Sequence, residues 1–140
     1  MSDEIEMARQ WLAKARNDLL NADNNLNAQE IPFDTVCFHC QQAAEKLLKA
    51  YLVAKGQPYP ITHDLLLILE EVLLVQSDAE HLRDALALLV PYAVEIRYPD
   101  FGHAPSEHDA REARAAADVV LAWLKEALPA LFDDAGYGYL

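Results

Sequence analysis

Basic residues are scarce in this sequence: 11 lysines and arginines stand against 23 aspartates and glutamates, giving a formal net charge of −12. Such a chain repels nucleic-acid phosphates at long range, so any contact with RNA or a nucleotide must rest on a local basic site or on a partner's charge. Cysteine is nearly absent as well. There are two, with no second pair to complete the roughly four ligands that a zinc centre needs. No apolar run approaches the roughly 18 residues that cross a bilayer, and the greasy stretch at residues 65–69 is far too short. The opening "MSDEIEMARQ" is acidic and lacks the basic-then-apolar pattern of a secretory signal, which makes the cytoplasm the expected location. No segment alternates in the manner of a strand, and neither an internal repeat nor a domain boundary is visible.

What is present is an ordinary globular composition, 53% hydrophobic and 24% charged, on a chain of 140 residues. That length suits one domain with a real core. Five segments read as helices. In the first, Ile5, Ala8, Leu12, Ala15, Leu19, Ala22 and Leu26 recur at steps of three and four, drawing one apolar stripe. Ser2 is a candidate cap. Pro32 punctuates, and a second stripe of Phe33, Cys37, Cys40, Ala44, Leu47, Tyr51 and Ala54 predicts a helix over about 33–55, which Gly56 terminates. Thr62 is the expected cap of a short third helix over about 63–75.

A fourth helix carries Leu82, Ala85, Leu89, Ala93 and Ile96, with Pro91 predicting a kink or a break. Ser106 and Asp109 fit a capping box that opens the fifth, with Ala113, Ala117, Val120, Leu124, Ala127 and Leu131 on its stripe. Short connections between helices of this kind describe an all-α, up-and-down bundle. The expected domain is residues 1–132, with 133–140 a flexible C-terminal tail.

Two stretches invite chemistry. In "CFHC" both Cys37 and Cys40 fall on the apolar stripe of the second helix, so they read as reduced, buried and inert thiols, with His39 between them. In "THDL" a histidine stands beside an aspartate, an arrangement able to tune a base. The plainer reading is a capped helix start with an acidic first turn. No metal site and no cofactor are expected.

"WLAKARNDLLNAD" in the first helix, then "CFHCQQAAEKLLKAYLVAKGQPYPITHDL", then "EIRYPD" in that order resemble the HEPN (higher eukaryotes and prokaryotes nucleotide-binding) domain family, over about residues 7–131. The resemblance implies a five-helix, four-helix-bundle-like domain that forms a symmetric homodimer. It further implies a toxin–antitoxin-like pairing with a minimal nucleotidyltransferase encoded nearby. Relatives divide between nucleotide-binding or partner modules, which complete the transferase site, and metal-independent ribonucleases that use an arginine and a histidine a few residues later.

Arg97 and His103 are the candidate catalytic pair, with five residues between them, within the ribonuclease spacing that the resemblance implies. The chemistry is sensible, because an imidazole transfers protons near neutral pH and a guanidinium forks onto phosphate oxygens without losing its charge. Several features depart from the catalytic pattern. Pro99 and Gly102 break the helix between the two, Tyr98 follows the arginine where active relatives carry a polar residue, and Asp100 is placed to neutralise Arg97. Pro105 stands where some relatives carry a tyrosine that the transferase modifies. The leading expectation is therefore a nucleotide-binding or partner module, with Arg97, Tyr98, Asp100, Lys46 and Lys49 as candidate phosphate-binding residues. Lys46 and Lys49 lie one turn apart, and Glu45 precedes Lys49 by four, so both lysines also fit a solvated helix face. The ribonuclease reading, with RNA as substrate across a homodimer cleft, is the enzymatic alternative.

Overall fold

The computed structural model describes residues 3–94, 104–133 and 140. Among them are five α-helices and no strand: α1 (Asp3–Leu26), α2 (Phe33–Ala54), α3 (Leu65–Leu73), α4 (Arg83–Leu89) and α5 (Glu107–Ala127). Short 3₁₀ segments at Ser77–Leu82, Val90–Tyr92 and Pro129–Phe132 flank α4 and follow α5. No described helix is long and apolar enough to cross a membrane.

The helices begin and end where local chemistry stops them. Ser106 and Asp109 form the expected reciprocal box at the start of α5: the Ser106 hydroxyl accepts from the Asp109 N–H at 3.1 Å, and the Asp109 carboxylate accepts from the Ser106 N–H at 2.9 Å. Gly56 follows α2 with φ +67°, a conformation glycine adopts without strain, and its N–H bonds the Val53 carbonyl at 3.0 Å. The cap of α3 differs from expectation. Asp64, not Thr62, accepts from the Leu66 N–H at 3.0 Å, while the Thr62 hydroxyl supports the Asp64 N–H from one step back, at 3.1 Å. The third helix is accordingly shorter than the span 63–75. Pro91 ends α4 at Leu89 and leaves a single tighter turn, since proline lacks the N–H that would continue the helix.

The hydrogen bond from the Ser106 backbone, helped by the Ser106 hydroxyl and His108, holds the Asp109 carboxyl below its ordinary range. The ionised form is thus favoured in the folded chain. Its contribution is complete above the unfolded pKa of about 3.9 and is lost as pH falls through the lower folded value. Asp109→Asn is expected to lower stability at neutral pH by this contribution and to flatten the acid limb, so that its curve, measured by denaturant unfolding, converges with that of wild type as pH falls.

α2 is the centre of the bundle. α1, α3, α4 and α5 all pack on it, and 14 of its 22 residues are buried, too many for one face. Packed around it are Leu12 and Leu19 of α1, Leu65, Ile68 and Leu69 of α3, Leu86 and Leu89 of α4, and Val120 and Leu124 of α5, all without exposed surface. Leu131 stays in the core although α5 has ended at Ala127, because the Pro129–Phe132 turn folds it back. Arg114 clamps α5 to α1: its guanidinium takes both Asp23 oxygens, at 2.7 and 3.2 Å, and Asp118 on its own helix at 2.6 Å.

Candidate functional site

A helix that is buried most of the way round cannot keep every polar side chain in water, and α2 carries several. Two buried carboxylates organise them. The first is Asp18 on α1, 7% exposed. It accepts from His39 Nδ1 at 2.8 Å and from Lys46 Nζ at 2.6 Å, joining α1 to two points on α2 about two turns apart. A carboxylate only accepts, so Nδ1 carries the hydrogen and Nε2 is the nitrogen left for other work. The side chains of His39 and Lys46 keep 19% and 21% of their surface exposed, so this pair is fixed from behind yet reachable by solvent.

The second carboxylate is Glu45, 3% exposed. Its oxygens accept from Lys49 Nζ at 2.9 Å and from His63 Nδ1 at 2.9 Å, with the Gln41 amide at 3.4 Å. Gln41 also donates to the His63 carbonyl at 3.1 Å. The Lys49 ammonium, on a residue 7% exposed, lies 5.5 Å from the Trp11 ring centre and 5.4 Å from that of Tyr59. Those two rings meet edge to face at 5.6 Å. The cluster pins the connection between α2 and α3 against α1. The "THDL" histidine therefore serves Glu45 of a neighbouring helix, and Asp64 beside it serves as the cap.

Of the candidate phosphate-binding residues, Lys46 and Lys49 are described, and they engage different carboxylates. Lys46 keeps a part-exposed ammonium, whereas Lys49 is enclosed by Glu45 and two aromatic rings. Arg97, Tyr98, Asp100 and His103 lie outside the described residues, as do positions 134–139 of the expected tail; Leu140 packs on the core.

Asp18 escaped the reading of the sequence, although a signal for it existed. It follows Ala15 by three and precedes Ala22 by four, so an acidic side chain occupies the core-facing register of an otherwise apolar stripe. An ionised group placed there needs a partner. In "CFHC" the two cysteines form no disulfide and are fully buried, while His39 turns to Asp18. Burial pushes the Cys40 thiol up to about 12, which removes the reactive thiolate at neutral pH. No group of three or more His, Cys, Asp or Glu able to hold a metal occurs among the described residues. Both thiols are expected to resist a disulfide reagent in the native protein and to react at the rate of unfolding. A burst of labelling before unfolding would contradict their burial.

A family model described as HEPN domain matches residues 8–127. The chain is similar to the crystal structure of TT1696 from Thermus thermophilus, at 33% identity and a TM-score of 0.71, over 85% of this chain and 96% of that one. No curated protein matches the chain.

Proposed function

The chain belongs to the HEPN domain family, and from that premise we propose that it is a cytoplasmic binding module. In this reading it forms a homodimer and works with a minimal nucleotidyltransferase as one half of a two-component, toxin–antitoxin-like pair. Its part is to bind a nucleotide or to complete the transferase's site. The observation that carries the nucleotide reading is the convergence of Lys46 and His39 on Asp18. A cation and an imidazole, oriented by one buried carboxylate and still part-exposed, are the groups that grip a phosphate through charge-assisted hydrogen bonds. With a net charge of −12, a phosphate needs such a local site. Arg97, Tyr98 and Asp100 are proposed to complete it, whereas Lys49, paired with Glu45 and enclosed by Trp11 and Tyr59, belongs to the second cluster.

Calorimetric titration with ATP tests this, on the chain alone and co-expressed with a nucleotidyltransferase encoded beside it. The wild type is expected to bind, and Lys46→Ala to weaken binding about tenfold, the worth of one charge-assisted hydrogen bond. Absence of binding in both preparations would remove the nucleotide reading. Co-purification with the transferase in that same case would leave the partner role standing.

The ribonuclease alternative rests on one sequence observation, the spacing of Arg97 and His103. Expression of the chain alone would then arrest growth, and His103→Ala would relieve the arrest.

A further inference from the structure

Beside the Glu45 cluster a cavity of about 230 Å³ opens along α1, lined by Met7, Gln10, Trp11, Lys14 and Tyr59. Two aromatic rings and a thioether in its walls are surfaces on which a flat heterocycle stacks. Gln10 adds an amide that can donate and accept at a ring edge. The rings are set before any ligand arrives. Trp11 and Tyr59 meet edge to face at 5.6 Å, and the buried Lys49 ammonium holds both from within, 5.5 and 5.4 Å from their centres.

The cavity lies on the same seam between α1 and α2 as the Asp18 cluster. Trp11 and Asp18 stand two turns apart on one face of α1, about 10 Å along its axis. On α2, Lys49 reaches Trp11 while Lys46 reaches Asp18. Lys14 stands between them on that face of α1, exposed and in ion pair with no carboxylate among the described residues. In a chain of net charge −12, such a lysine is a cation left available to an anion. An aromatic pocket, an open cation and the Lys46–His39 pair therefore follow one another along the seam. That is the order of base, first phosphate and terminal phosphates in a nucleotide.

We propose that this cavity is the base-binding end of the nucleotide site. The heterocycle of a nucleoside phosphate stacks on Trp11 and Tyr59, Lys14 meets the phosphate nearest the sugar, and Lys46 with His39 holds the terminal phosphates. The proposal rests on the phosphate reading above and adds a recognised base to it, so that the ligand is a nucleotide rather than any polyphosphate. Stacking of this kind accepts every base, because each has a π-face.

ATP, tripolyphosphate and adenosine, titrated into the intact ¹⁵N-labelled chain, separate the two ends. Tripolyphosphate carries no less charge than ATP, so any advantage of ATP comes from its nucleoside. ATP is expected to bind about tenfold tighter than tripolyphosphate, the worth of one stacked base. The chain has two indole N–H groups, Trp11 and Trp123, assigned by Trp123→Phe or, equally, by Trp11→Phe. ATP and adenosine are expected to move the Trp11 resonance saturably and leave that of Trp123 in place. Tyr59→Ala is expected to erase the advantage of ATP and leave tripolyphosphate binding unchanged, whereas Lys46→Ala weakens both. The Trp11 resonance gives the answer in the wild type if Tyr59→Ala does not fold. Equal affinity for ATP and tripolyphosphate, a Trp11 resonance that stays still, or an advantage retained in Tyr59→Ala overturns the base pocket and leaves the phosphate reading standing. Should neither polyphosphate bind, the phosphate reading falls; a saturable Trp11 shift with adenosine would then support the pocket alone, and its absence would overturn both.

Discussion

Replacing Glu45 by alanine is expected to destabilise the fold by about 3–5 kcal/mol, the cost of breaking a buried ion pair and stranding one partner. The Lys49 ammonium would then have only the faces of Trp11 and Tyr59, 5.5 and 5.4 Å away. A cation–π contact contributes about 0.5–2 kcal/mol and does not replace a carboxylate at 2.9 Å. His63 and Gln41 lose their acceptor at the same time, so the link between α2 and α3 loosens from α1. Urea unfolding followed by circular dichroism measures the loss.

Two companion variants separate the causes. Glu45→Gln keeps an acceptor and the volume, so it is expected to fall between wild type and alanine. The double variant Glu45→Leu/Lys49→Met removes both buried charges and fills the space with apolar atoms. It is expected to be close to wild type, because desolvating the pair offsets most of the attraction between its members. A loss below about 1 kcal/mol in Glu45→Ala would place this pair with ordinary surface pairs and remove it as the anchor of the α2–α3 connection.

That network marks where reading the sequence succeeded and where it stopped. The apolar stripes located α1, α2 and α5 to within a few residues, because an amphipathic helix writes its buried face into the chain at the helical period. The Ser106–Asp109 box and the break at Pro91 were legible for the same reason: both are local, made by residues within one turn of each other. Lys49 was not legible. Four residues after Glu45 it reads as a surface pair, and the burial that changes its meaning comes from Trp11 and Tyr59, distant in sequence. The stripe on α2 likewise suggested one buried face, whereas packing by four other helices buries it on most sides. Asp18 and His39 show the same limit from the functional side. Each lies in a motif visible in the chain, but their 2.8 Å contact depends on how α1 lies on α2, which no single-helix pattern encodes.

Tyr51 carries the second large effect. It has no exposed surface, packs at 4.8 Å between ring centres against Trp123 of α5, and donates its hydroxyl hydrogen to the Gln76 side-chain oxygen at 3.0 Å. Tyr51→Ala is expected to cost about 3–5 kcal/mol, the range for deleting a buried aromatic and leaving a cavity between packed helices. Tyr51→Phe keeps the ring and should cost about 1 kcal/mol for one hydrogen bond. Their difference measures how much of the α2–α5 contact is packing. The same residue gives an alkaline signature, since burial, and after it the charge of Asp78, raises the phenol above its ordinary value. With the folded pKa raised, this contribution is complete below the unfolded value of about 10 and is lost as pH rises through the folded one. Wild type should therefore lose stability on that limb more steeply than Tyr51→Phe. Parallel limbs would mean that the phenol meets water in the folded chain, and the close packing of α2 against α5 at this turn would have to be abandoned.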